Sequence, residues 1–204
     1  MGLNRRSGVW AFVGLLVLLL GTGGCNTGNE ADSSPSVSEG TATRTSLPAE
    51  RPTNVEPPPR PPAMDNADEA GAVAAAEYFL RLTVYAAASG DTTELEAMSG
   101  EGCEGCQSYV SSVKDLHEQG GWWASVPEVS IHSAASRPIE GELAQYQVEL
   151  DAEKGGYNYI NGKAEQLSVE PESVVMAFVV TYRAGWVIEI AQSFPEGTKL
   201  SEEG

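Results

Sequence analysis

Apolar positions in this chain change period twice, and each period predicts a different kind of element. From residue 66 onward, Val73, Ala76, Leu80, Val84 and Ala87 recur at spacings of three and four, one stripe of an α-helix. Tyr78, Leu82 and Tyr85 make a second stripe beside it, so the apolar arc is wide, as expected of a helix packed in a groove. Asp65 or Asn66 is placed to cap it and Gly90 to end it. Asp91-Thr92-Thr93-Glu94 opens a short second helix through Met98, with an acid where a capping box has a hydroxyl. A third helix is predicted over Glu104 to Gln119. Its stripe is Val110, Val113 and Leu116 or His117, and Gly120-Gly121 stops it.

After Gly121 the period shortens to two. Val129 and Ile131 alternate with Ser130 and His132. From Leu143 to Asp151, Ala144, Tyr146, Val148 and Leu150 share one face, and Gln145, Gln147 and Glu149 make the other face wet. Tyr157–Ile160 and Glu165–Glu170 flank Asn161-Gly162, the signature of a hairpin. A second, longer hairpin is predicted from Ser173–Arg183 and Trp186–Phe194. Val174, Met176, Phe178, Val180 and Tyr182 point one way, and Val175, Ala177 and Val179 the other. A strand apolar on both faces needs cover on both, which predicts weak homodimerisation through the sheet.

The N-terminal third follows neither period. Arg5 and Arg6 precede a 12-residue run from Val9 to Leu20, followed by small residues up to Cys25. That is the layout of an export signal, and at roughly 18 Å the run is too short to span a membrane as a helix. Gly23-Gly24-Cys25 resembles a bacterial lipobox, which implies lipidation of Cys25; Thr22 stands where such signals usually have Leu. From Asn26 to Asp65 the chain is rich in Pro, Ser and Thr, with no aromatic and only Val37, Leu47 and Val55 as branched aliphatic residues. It reads as a disordered tether, spanning on the order of 35 Å as a flexible chain. The expected organisation is therefore a leader over 1–24, a tether over 25–65 and one domain over 66–204.

Charge narrows the partners. The full chain carries −17, and removing residues 1–24 takes Arg5 and Arg6 but no acid, giving −19. Such a chain repels phosphate backbones, so nucleic acid is excluded and the membrane is met through the lipid alone.

Cys103 and Cys106 can form a disulfide, a redox pair or half a zinc site. Zinc needs four ligands, and His117 and His132 lack the spacing of a second ligand pair. A thioredoxin-like pair sits in a βαβ context, whereas helices flank this one; a helix N-terminus would nonetheless lower the first thiol's pKa. An exported chain keeps disulfides, and residues i and i+3 at a helix start lie within bridging distance. The reading is a structural staple, with thiol–disulfide exchange as an alternative. No metal or cofactor is expected. Of Trp122 and Trp123, adjacent at a strand start, one should pack inward.

Three helices followed by the closing "TYRAGWVIEIAQSF" resemble the nuclear-transport-factor-2-like fold. The tether, "EYFLRLTVYAAASGDTTELEAMS", "CEGCQSYV" and "GW", in that order, resemble a family of actinobacterial lipoproteins of unknown function. The resemblance implies an α+β domain in which three N-terminal helices pack in one curved antiparallel sheet, a cone. Its pocket would be lined by Tyr78, Tyr85, His117, Tyr146 and Trp186. It carries over no catalytic residues. The expected function is a lipid-anchored extracytoplasmic binding or interaction module for an unidentified small molecule or protein. The alternative is a small pocket enzyme using acid–base chemistry through His117. Neither Asp115, two residues away on the helix, nor Asp151 is placed by the sequence to pair with it.

Overall fold

The computed structural model describes residues 50–198. The expected leader, Cys25 and the first part of the expected tether lie outside the described residues. Three helices come first, α1 (Glu69–Ser89), α2 (Thr93–Met98) and α3 (Glu104–Glu118). Seven strands follow: β1 (Trp122–Trp123), β2 (Val129–Pro138), β3 (Gln145–Lys154), β4 (Tyr157–Ile160), β5 (Gln166–Val169), β6 (Glu172–Tyr182) and β7 (Trp186–Pro195).

The strands form two antiparallel sheets, four strands in the order β2-β3-β6-β7 and three in the order β1-β4-β5. This corrects the expectation of three helices packed in one curved antiparallel sheet, the nuclear-transport-factor-2-like cone. The cause is local. Gly155-Gly156 ends β3, with Gly155 N–H donating to Glu128 O at 2.9 Å, and the chain turns away. β4 and β5 then pair with Trp122–Trp123, and β6 returns to β3 with Glu172 opposite Lys154. The Asn161-Gly162 hairpin is likewise longer than expected. Asn161 Oδ1 accepts the N–H groups of Lys163 and Glu165 at 2.9 and 3.0 Å, so its side chain organises a turn over residues 161–165.

α1 packs against strands of both sheets. Ala72, Ala75, Ala76, Tyr78, Phe79, Leu82 and Ala86 are all buried, on nearly every side of the helix, while Val73 and Leu80 of the expected stripe are half-buried. Small alanines let neighbouring backbones approach closely, which spreads burial beyond one stripe. Its cap is Asp68, whose Oδ1 accepts Gly71 N–H at 2.8 Å, two or three residues later than predicted. Pro62–Asp65 is wound instead into a 3-10 turn that buries Met64 to 3% exposure. Val55 also packs on the core, so the packed body reaches back into residues whose composition had placed them in the tether.

On the large sheet, Val148, Leu150 and Ala152 of β3 face the core beside Phe178, Met176 and Val174 of β6. The wet face of Gln145, Gln147 and Glu149 falls on the outside. Val175 on that outer face is buried within the single chain, between its cross-strand neighbours Asp151 and Phe194. Ile190, opposite Val179, stays 45% exposed.

Candidate functional site

Between α1 and the inner face of the large sheet the side chains leave a cavity of about 220 Å³. Leu80 and Val84 of α1, Trp123 of β1, Val129 of β2, and Val174 and Met176 of β6 form apolar walls, with Ala152 at the sheet. Trp123 is buried and stacks on Tyr157, ring centroids 4.0 Å apart. Thr83 and Tyr109, both with hydroxyls, also line it. Thr83 Oγ1 donates to Leu80 O at 2.7 Å, and Tyr109 Oη donates to Thr83 O at 2.8 Å. Burial raises the Tyr109 phenol pKa, so it stays protonated and keeps that bond. Lys154, Glu172 and Ser193 stand at the open side. Lys154 Nζ lies 3.9 Å from Glu172 Oε2 and 5.2 Å from the Tyr157 ring centroid.

None of the five residues expected to line a pocket lines this one. Trp186 is buried; its Nε1–H donates to Met64 O at 3.0 Å, and its ring packs against Tyr182 and Tyr146. Tyr146 Oη donates to Ala67 O at 3.3 Å, so these aromatics clamp the chain entering α1. Tyr78 is buried in the core, and burial followed by the nearby Glu94 carboxylate pushes its pKa up to about 12. Tyr85 donates to Asp91 Oδ2 at 3.2 Å, and burial and then Asp91 raise its pKa.

His117 spans two partners. Its Nε2 lies 2.9 Å from Ala87 O and its Nδ1 2.9 Å from Arg51 Nη2. A carbonyl only accepts and a guanidinium only donates, so this geometry needs the Nε2–H tautomer with Nδ1 as acceptor. Both nitrogens are occupied in holding the end of α1 and residue 51, and neither Asp115 nor Asp151 appears among its partners.

Cys103 and Cys106 form a disulfide, Cα atoms 5.3 Å apart. Cys103 caps α3, its Sγ accepting Cys106 N–H at 3.3 Å. The stapled loop lies along the β7 edge. Gly100 N–H donates to Ile188 O at 2.8 Å, and Ser99 makes a parallel bridge with Ile188. A Cβ on Gly105 would stand 2.5 Å from Ala191 O, so only glycine allows the approach. The loop thus covers the end of a strand edge that would otherwise present unpaired backbone groups. His132 is exposed beside Glu153, 4.0 Å away, and no group of three or more His, Cys, Asp or Glu is placed to hold a metal among the described residues.

The cavity residues missed by sequence reasoning carry one weak signal. Leu80, Thr83 and Val84 lie at i, i+3 and i+4, so they share a helix face. That face meets the gap between α1 and the large sheet.

No curated protein matches the chain. Among solved structures, the intermembrane space region of chloroplast protein ARC6 aligns with a TM-score of 0.49 at 9% sequence identity, covering 63% of this chain and 98% of that one. No helix among the described residues is long and apolar enough to cross a membrane. Residues 41–192 match a family of unknown function, DUF6318, and the chain belongs to that family.

Proposed function

We propose that this protein is a lipid-anchored binding module of the extracytoplasmic membrane face, holding a small molecule between α1 and the large sheet. The observation that carries the reading is the apolar cavity with its few placed polar groups, the usual make-up of a ligand site. The groups of the two alternative readings are engaged elsewhere: His117, the acid–base candidate, bonds to Ala87 and Arg51, and the Cys103–Cys106 pair, the thiol–disulfide candidate, is closed as a disulfide. The anchor rests on sequence: Arg5, Arg6 and the run to Leu20 have the layout of an export signal, and Gly23-Gly24-Cys25 resembles a bacterial lipobox. A second copy, in this reading, meets the outer face of the large sheet weakly around Ile190.

Two experiments test the proposal. Cys25→Ala is expected to release the protein from membranes into the medium, and retention of that variant overturns the lipid anchor. Native mass spectrometry of the protein taken from its own membrane is expected to show a bound small molecule. Ala152→Leu, which adds volume inside the cavity, is expected to remove it. An unliganded wild type that no small molecule stabilises against heat overturns the binding module.

A further inference from the structure

We infer that the cavity takes a neutral, ring-sized apolar molecule that donates one hydrogen bond. This rests on the binding-module reading and names its ligand class. Three observations converge on it.

The first is size. A dry apolar cavity of about 150 Å³ holds benzene, so 220 Å³ accommodates on the order of nine non-hydrogen atoms, a ring with a short extension or two fused rings. Anything longer has to extend through the open side, past Lys154 and Glu172.

The second is hydrogen-bond capacity. The two hydroxyls, Thr83 and Tyr109, have each committed their proton to a carbonyl of α1, at 2.7 and 2.8 Å. What remains on each oxygen is lone pairs, and among the described residues nothing donates to either. A dry ligand with no donor leaves these acceptors unsatisfied, and one with a single N–H or O–H satisfies an acceptor at the cavity wall.

The third is charge. The two charged groups at the open side are of opposite sign and 3.9 Å apart, so they offset one another. A ligand carboxylate approaching Lys154 meets Glu172, a ligand ammonium approaching Glu172 meets Lys154, and the chain's net −17 further opposes an anion. A neutral ligand needs neither charge displaced. Trp123, a wall of the cavity held in place by its stack on Tyr157, favours a flat ring.

Calorimetric titration of the whole mature protein with indole, indene and benzoate tests the inference. Indole and indene match in shape and differ in the N–H donor; benzoate is a single-ring anion. Indole is expected to bind about fivefold to tenfold more tightly than indene, the worth of one neutral hydrogen bond, and benzoate most weakly. Thr83→Val, nearly equal in shape, and independently Tyr109→Phe remove the acceptors, and at least one is expected to bring the indole-to-indene ratio close to one. Equal affinities for indole and indene in the wild type overturn the donor requirement and leave the binding module standing. Benzoate binding tightest overturns neutrality. Failure of all three, while native mass spectrometry still finds a bound molecule, overturns the ligand class. Failure of all three with no bound molecule overturns the binding module as well.

Discussion

Trp186 and Met64 are 122 residues apart in sequence and joined by one buried hydrogen bond, indole Nε1–H to carbonyl oxygen at 3.0 Å. The bond ties the start of the last strand to the 3-10 turn before α1. Gly71 makes room for the indole, since a Cβ there would lie 2.9 Å from Trp186 Cζ2. Trp186→Phe keeps most of the apolar contact and leaves the Met64 carbonyl with only the longer bond from Arg60 Nη2, 3.3 Å away. The expected cost is about 0.5–1.5 kcal/mol, the worth of one hydrogen bond, seen as a lowered urea midpoint with unchanged slope. It should be accompanied by faster amide exchange at Met64 and Asn66, whose N–H groups close the turn. A loss of exchange protection spread evenly over α1 would mean the bond does not act locally.

The helices were legible in the sequence because each has its own punctuation: Gly90 in the left-handed region at φ 85°, the disulfide at the start of α3, Gly120-Gly121 after it. The alternation Val148-Glu149-Leu150 likewise gave the inner face of β3 correctly. Both hairpins, β4 with β5 and β6 with β7, were legible too; what the sequence did not show is which sheet each hairpin joins. β4 and β5 carry the same period as the rest, and their membership of a separate sheet depends on where the chain travels after Gly155-Gly156 and on partners as distant as Trp122. The cavity was illegible for the same reason. Its walls come from both sheets and two helices, so no single stretch carries its pattern. The aromatics picked out for a pocket, Trp186 and Tyr146, are instead a clamp on residues 64–67.

Gly105 sits where α3 meets the β7 edge, and the disulfide holds it there. Gly105→Ala brings a methyl to within 2.5 Å of Ala191 O, a backbone atom that cannot swing away. The loop must lift, and Gly100 N–H to Ile188 O is the bond most exposed to the shift. The expected destabilisation is about 1–3 kcal/mol, the range for steric overpacking. Reducing the disulfide is expected to cost about 2 kcal/mol, the loop-entropy figure for so short a closure. Gly102→Ala has open space around its Cβ and serves as the control; an equal loss there would place the effect in loop stiffness rather than in contact with β7.

Acid should loosen α2 through two carboxylates. Asp91 is held below the usual carboxylate pKa first by the Thr93 N–H, 3.0 Å from its Oδ1. Glu96 is lowered first by Lys114, 2.8 Å away, and then by the Thr92 hydroxyl. Both folded values lie below the unfolded ones, so the unfolded chain binds more protons in acid. Their contribution is therefore present above about pH 4 and lost as pH falls through the folded values. Both are near the surface, so the effect is modest and screened by salt. Asp91→Asn and Glu96→Gln should each flatten the fall of the urea midpoint below about pH 4. Unchanged slopes in both would assign acid sensitivity to other groups.

Val179 and Ile190 are cross-strand partners on the outer face of the large sheet, and Ile190 is the more exposed of the two. A second copy laid on this face meets like charge, −17 on each full chain. Association should therefore be weak and tighten with added salt, the reverse of an ion-paired contact. Sedimentation of the wild type across ionic strength measures it, and Ile190→Glu should abolish it. A chain that stays monomeric at high micromolar concentration and high salt excludes the second copy.

Gly90 and His117 are packed so closely that the helix stop and the histidine determine one another. Gly90 has φ 85°, and a Cβ there would stand 2.9 Å from His117 Nδ1 and 3.1 Å from Cγ. Gly90→Ala thus carries two separable costs. The left-handed conformation of a residue with a Cβ costs about 1–2 kcal/mol whatever surrounds it. The collision with the imidazole adds to this, because the ring is held on both sides by Ala87 O and Arg51 and cannot rotate without losing a bond. A double-mutant cycle separates them. In a His117→Ala background the collision is gone, and Gly90→Ala should cost only the backbone strain. In the wild type it should cost at least about 1 kcal/mol more, a coupling well above the scatter of independent sites. The single change His117→Ala should also raise amide exchange near Gly90, whose own N–H bonds to Ala86 O at 2.8 Å in the same turn. Equal costs for Gly90→Ala in both backgrounds would mean that the ring yields freely, and that the bonds to Ala87 and Arg51 do not fix its position.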